Sequence, residues 1–225
     1  MNILLVSGHG DGDPGACANG FKEADLTRDV AARLCENLKM ACSVTVFDKT
    51  KNMYQYQKKY GNIDFKNYDL VLEIHFNAGG GEGSEILTHT NSCSKKTDEL
   101  ILKNLSSSGF KNRGVKKRSD LYNMNVCYKQ DVPYSLLELC FIDSAGDMKL
   151  YAKNKSKIIS SIADGIKEAY NLKKTELTQI NDIVWELSHR GIISNTTLWL
   201  GKLANDANSY WLARKTVQFF RANNL

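Results

Sequence analysis

Proline, long apolar runs, paired cysteines and a one-signed charge are all scarce in this chain, and each scarcity removes a class of protein. With 2 prolines and 16 glycines in 225 residues, the composition excludes collagen-like and proline-rich low-complexity sequence. The longest apolar runs, such as Ile3–Val6, fall far short of the roughly 20 residues that a bilayer-spanning helix needs. Gly8-His9-Gly10 closes the first apolar run, which leaves no h-region of about 7–15 residues for a secretory signal. The expectation is a chain made in the cytosol, without membrane insertion and without an export address. Cysteines stand at 17, 35, 42, 93, 127 and 140 with no C-x-x-C pair, so they read as free thiols, not as a zinc ribbon or a disulfide scaffold. Lys plus Arg number 30 against 25 Asp plus Glu, a net charge of +5. That excess favours an anionic partner without forming the basic stripe of a DNA-binding domain. Nucleic acid, a membrane surface and an anionic wall polymer all stay open at this point.

What is present is a folded chain, 42% hydrophobic and 24% charged, long enough for one large domain or one domain with an appendage. Short β-type runs at Asn2–Ser7, Ser43–Phe47, Leu70–His75, Glu85–Thr88 and Tyr134–Leu139 alternate with segments of helical period. Leu26, Val30, Leu34 and Leu38 repeat every four residues, and Ile159, Ile162, Ile166 and Ala169 recur later at helical spacings of three and four. The expected class is α/β: a mostly parallel sheet covered by helices on both faces, with functional groups at strand ends. The character changes near Asn171–Thr175, beyond which lie Trp185, Trp199 and Trp211 and no β-type run. The expected division is residues 1–172 and 173–225, the second a three-helix module near the lower size limit for independent folding. Its stripe Leu177, Ile180, Val184 and Leu187 ends at His189-Arg190-Gly191, a basic last turn with a glycine stop. In so small a bundle, tryptophans more often form the core than a ligand platform.

The glycine-rich loop Ser7–Gly15 leaves the first strand. Gly10-x-Gly12-x-x-Gly15 matches the dinucleotide fingerprint in form, but Asp11 and Asp13 would oppose a phosphate, Pro14 removes one N–H, and the helical period starts too late. The other reading begins with His9, flanked by glycines at a strand exit, and His75, which ends the third run before Phe76-Asn77-Ala78-Gly79-Gly80-Gly81. Such exits meet in one crevice of an α/β sheet. Two imidazoles there need one carboxylate to make the His₂Glu set of a catalytic zinc site, and Glu23, at the start of the Leu26–Leu38 helix, is the best placed. Glu138 closes the apolar run Tyr134–Leu137, where a carboxylate is costly without a partner or a task. Each has a plainer explanation: histidines often pack or cap, and Glu23 fits as a first-turn acid. His89 reads as a solvated strand residue and His189 as a cation at a helix end.

In this order, I3-L-L-V-S-G-H9-G-D-G-D-P-G-A16, N19-G-F-K-E23-A-D-L26, L72-E-I-H75-F-N-A78, R113-G-V-K116 and L136-L-E138-L-C-F-I-D143 resemble the zinc-dependent N-acetylmuramoyl-L-alanine amidases of the amidase-3 type, over about residues 1–170. The resemblance implies that His9, Glu23 and His75 bind Zn²⁺, that Glu138 is the catalytic acid/base, and that bacterial peptidoglycan is the partner, with no nucleic acid. Asn77, Arg113 and the amides of Gly79–Gly81 are candidates for substrate contact. Two positions depart from the pattern. Glu73 stands where a small residue is common, and by strand alternation it either orients His75 or faces solvent. Cys140 stands where glycine is common, and it suits a buried strand end better than a nucleophile. Wall hydrolysis without an export signal fits a phage or prophage endolysin released by a holin; a host enzyme freed by cell lysis is the alternative. The tail then serves wall binding, self-association or support of the fold. The competing reading is a non-catalytic peptidoglycan-binding protein that retains the fold.

Overall fold

The computed structural model describes residues 1–92, 96–172 and 176–222. Cys93 therefore lies outside the described residues. The elements are β1 (Asn2–Ser7), β2 (Cys17–Ala18), β3 (Phe21–Lys22), α1 (Glu23–Leu38), β4 (Ser43–Val46), α2 (Met53–Tyr60), β5 (Leu70–Asn77) and β6 (Ser84–His89). They continue as α3 (Lys96–Ser107), β7 (Asn112–Arg118), α4 (Tyr122–Lys129), β8 (Tyr134–Phe141), α5 (Ala145–Ala169), α6 (Glu176–His189), α7 (Thr196–Asn205) and α8 (Ala207–Ala222). Two compact units divide the chain, Met1–Leu172 and Lys173–Leu225.

In the first unit six strands form one sheet in the order β4-β1-β5-β8-β6-β7. Every pairing is parallel except β6 with β8. Side chains alternate between the two faces of a strand, and this sheet buries both. Ile3, Leu5, Leu70, Leu72, Ile74, Leu137 and Leu139 pack against α1, α3 and α5, through residues such as Val30, Leu34, Ile101, Ile159 and Ile162. Leu4, Val6, Val71, Tyr134 and Leu136 point the other way, to Met53 of α2 and to Met124 and Cys127 of α4. Burial on both faces explains why β1, β5 and β8 read as nearly continuous apolar runs. The strands extend past their expected ends: β5 reaches Asn77 and β8 reaches Phe141. His75 and Glu138 therefore sit inside ladders, which fixes their direction by pleat instead of leaving them to loop geometry.

The second unit, taken by itself, is three helices around Ile183, Val184, Leu187, Ile193, Leu203, Ala213 and Val217. The expectation that its tryptophans are core divides. Trp199 packs partly buried against this cluster. Trp185 is 61% exposed and stacks on His189 at 3.8 Å, because its partner ring is one turn along the same solvent face. The side chains of Leu177, Ile180 and Trp211 lie outside the described residues. No described helix is long and apolar enough to cross a membrane.

Candidate metal centre

The site forms where β1 and β5, neighbours in the sheet, deliver their ends to the start of α1. Gly8 donates its N–H to the Ile74 carbonyl at 2.9 Å, tying the β1 exit to β5. His9 follows with φ 62, a left-handed turn that swings its ring back over the strand ends. The turn is clamped from α1: Arg28 donates to the carbonyls of Gly8 and His9 at 3.2 and 2.9 Å, and Thr27 Oγ1 to that of Gly8 at 2.9 Å. Two glycines of the loop are there for space. A Cβ on Gly8 would lie 2.4–2.7 Å from the His75 ring, and one on Gly15 would lie 2.7 Å from both Glu23 Oε2 and His9 Cδ2. The loop is shaped to admit side chains, not a pyrophosphate.

Glu23 is the first residue of α1 and is 3% exposed. Exposed first-turn acids complement the helix dipole; this one is turned inward. Its Oε1 accepts from the Phe76 N–H at 2.9 Å and lies 3.0 Å from His75 Nδ1. Its Oε2 accepts from the Ala16 N–H at 3.0 Å and lies 3.1 Å from His9 Nε2. Burial alone would raise this carboxyl, yet the bonds to His75 and His9 outweigh it and hold the group well below the usual range. Burial likewise opposes charge on His75, but Glu23 and Glu73 push its pKa up to about 10, while the bond to Glu23 raises His9.

The donor set fits a metal ion. One ligand atom from each of His9, Glu23 and His75 lies within 4.8 Å of the others. His9 Nε2 and His75 Nδ1 meet the two oxygens of Glu23 at 3.1 and 3.0 Å, so two imidazoles and one carboxylate, the donor types of a catalytic zinc site, face one another. The far nitrogen of each ring meets its own carboxylate: His9 Nδ1 is 2.8 Å from Asp13, and His75 Nε2 is 3.1 Å from Glu73. Carboxylate–histidine pairs of this kind orient metal-ligating imidazoles. Glu73, for which the sequence allowed either direction, is therefore turned inward. A cavity of about 620 Å³ opens beside His9 and His75, with Glu73, Tyr134, Asn123 and Tyr122 among its lining.

Glu138 stands opposite His75 in the β5–β8 register. Its Oε2 is buried with no hydrogen-bond partner. Burial pushes its pKa up to about 7, with the charges of Glu23 and Glu85 adding and that of His75 opposing. A carboxyl poised near neutrality beside a prospective cation is suited to holding and releasing a proton.

The other candidates are placed differently. Asn77 Nδ2 donates to Glu85 Oε1 at 3.0 Å, and Arg113 Nε donates to Glu85 Oε2 at 2.8 Å. Glu85, which the sequence reading did not single out, thus holds both and faces Glu138 across the β6–β8 ladder. The Gly79 and Gly80 amides are not open to substrate, since both donate to Asp143 Oδ2 at 2.8 Å. His89 is not solvated: it is 7% exposed and stacks on Tyr128 of α4 at 3.8 Å. Cys140 is fully buried and burial raises its thiol pKa, which leaves little thiolate for nucleophilic work.

The sequence model of the Amidase_3 family, N-acetylmuramoyl-L-alanine amidase, matches residues 3–168. The chain is 32% identical over 184 residues to probable autolysin PH of Staphylococcus aureus, covering 72% of this chain and 38% of that protein. It thus spans well under half of that relative's length. It is 29% identical over 185 residues to the endolysin of Bacillus phage SPP1, covering 76% of this chain and 67% of the endolysin. The solved catalytic domain of CwlV, an N-acetylmuramoyl-L-alanine amidase from Bacillus (Paenibacillus) polymyxa var. colistinus, superposes with a TM-score of 0.61 at 24% identity, over 77% of this chain and all of that one, a likeness of fold.

Proposed function

Because the chain belongs to the Amidase_3 family of N-acetylmuramoyl-L-alanine amidases, we propose that it hydrolyses the amide between the lactyl group of N-acetylmuramic acid and L-alanine in bacterial peptidoglycan, with Zn²⁺ held by His9, Glu23 and His75. The observation that carries this reading is the convergence of those three side chains with Glu138 alongside. Two imidazoles and one carboxylate are a donor set of the catalytic zinc type, which leaves a coordination position open. Zinc bound there supplies Lewis acidity, bringing the pKa of water toward about 7 and polarising the scissile carbonyl.

Everything else is the work of the chain. Glu138 takes a proton from the attacking water and returns it to the departing amine of L-alanine, a double duty that suits a carboxyl near neutrality. Asp13 and Glu73 keep the imidazoles in place, so little reorganisation is needed as charge develops at the carbonyl. Asn77 and Arg113, fixed through Glu85, offer hydrogen-bond donors to the substrate. The net charge of +5 draws the protein to an anionic wall.

Likeness to the endolysin of Bacillus phage SPP1 supports the finer reading of a phage-type lytic enzyme, and likeness to the autolysin supports a host wall enzyme. The endolysin reading predicts that host cells producing the protein lyse only once the membrane is opened. The activity itself is tested on purified muropeptides, with and without chelator. Release of free stem peptide that stops on chelation and returns with zinc is the expected result. Binding without release would favour a non-catalytic wall-binding protein instead.

A further inference from the structure

Three hydrogen-bond donors converge on one buried carboxylate in the cleft. Glu73 is 6% exposed. Its Oε1 lies 3.1 Å from His75 Nε2, and its Oε2 accepts from the Tyr134 hydroxyl at 2.7 Å and from Asn123 Nδ2 at 3.0 Å. The fold makes this meeting unavoidable: residues 73 and 75 share a face of β5, Tyr134 opens the adjacent β8, and Asn123 stands in the first turn of α4. An ionised carboxylate only accepts hydrogen bonds, so it can serve an imidazole N–H, a phenol and an amide NH₂ together. A glutamine cannot, because turning its oxygen toward one side turns its NH₂ toward a donor on the other. Asn123 Oδ1 is buried without a hydrogen-bond partner, so the bond that Asn123 Nδ2 makes to Glu73 is what its placement secures.

We propose that Glu73 is a positioning residue for the metal centre: it accepts the Nε2–H of His75, fixes that ring and tautomer, and so presents Nδ1 to the ion shared with His9 and Glu23. Tyr134 and Asn123 hold Glu73 in turn. The inference rests on the reading of His75 as a ligand. It sets the two histidines in opposite tautomers, since Asp13 lies 2.8 Å from His9 Nδ1 and leaves His9 Nε2 toward Glu23. A buried carboxylate next to a ligand histidine is then a built part of the centre, and the cost of its burial is offset by the order it imposes.

The test uses the full chain loaded with zinc and labelled with ¹⁵N-histidine. His75 should carry its proton on Nε2 and the metal on Nδ1, with His9 reversed; metal on His75 Nε2 overturns the proposal. Independently, Glu73→Gln should weaken zinc binding about 10–100-fold in chelator competition, and Tyr134→Phe should weaken it less. Unchanged zinc affinity in Glu73→Gln overturns the proposal even while His75→Ala loses zinc. Normal zinc binding by His75→Ala marks a different failure, that of the ligand reading beneath it. Should Glu73→Gln not fold, the tautomers of the wild-type protein decide alone.

Discussion

Replacing Glu138 by glutamine should slow turnover sharply and yet make the metal-free protein more stable above neutral pH. In the folded chain this carboxyl has a pKa of about 7 against an ordinary 4.5, so the folded state binds its proton more tightly than the unfolded state does. Below pH 4.5 both states are protonated and the site costs nothing. Between 4.5 and 7 the unfolded state ionises first and stability falls as pH rises; above 7 the whole penalty is present. The shift corresponds to a ceiling of roughly 3 kcal/mol. Glu138 keeps some contact with water, so an effect of about 1–2 kcal/mol is expected after screening. For a unit of this size that is a rise of about 2–8 °C in melting temperature for Glu138→Gln.

The assay is a series of thermal melts from pH 4 to 8.5 in excess chelator, with zinc content and muropeptide hydrolysis measured separately. Wild type and variant should melt together at the acid end and diverge through pH 5–7. With zinc restored, the variant should hold the metal and turn over about 10²–10⁴-fold more slowly. Melting curves that stay parallel at every pH would refute the claim that burial shifts this carboxyl. Near-normal turnover would refute its role in proton transfer.

Other outcomes follow from the same geometry. Zinc should co-purify at about one ion per chain, and His75→Ala should lose it; equal metal in both proteins would remove His75 from the site. Gly15→Ala should abolish zinc binding, because the new methyl meets Glu23 and His9 at 2.7 Å on a backbone with φ 65. Gly12→Ala carries similar strain at φ 88 but meets nothing within 4 Å, so it should cost about 1–2 kcal/mol and keep the metal; metal analysis of the pair separates crowding from strain. A chain ending at Leu172 should retain zinc and cleave soluble muramyl peptides while losing activity on intact walls, where a tethered module raises local concentration. Equal loss on both substrates with a lower melting temperature would assign the tail to structural support.

How much of this was legible depended on whether one strand or a pairing of strands carries the information. β1, β5 and β8 stand out because each is buried on both faces, and the α1 stripe because its period spans four turns. β7 does not, since Asn-Arg-Gly-Val-Lys-Lys-Arg is the composition of a sheet edge that uses charge to discourage further pairing. His89 misled for a related reason: between two threonines it alternates as a solvent-facing residue would, and only the placement of Tyr128 on α4 over that face buries it.

Glu85 was hidden by topology. Alternation shows that it and Glu138 each point to one side of a strand, but not that the two strands are neighbours running in opposite directions, which sets the two residues face to face. The charge of Glu85 adds to the effect of burial on Glu138. The structure divides the load: Arg113 and Asn77 donate to Glu85, whereas Glu138 Oε2 is left without a donor. Burial is what chiefly keeps a proton on Glu138 near neutral pH, and the charge of Glu85 across the ladder adds to it. Removing this support in Arg113→Ala should leave the charge of Glu85 less compensated and raise the proton affinity of Glu138, moving the pH dependence of its metal-free melts to higher pH; an unchanged pH profile would refute the coupling.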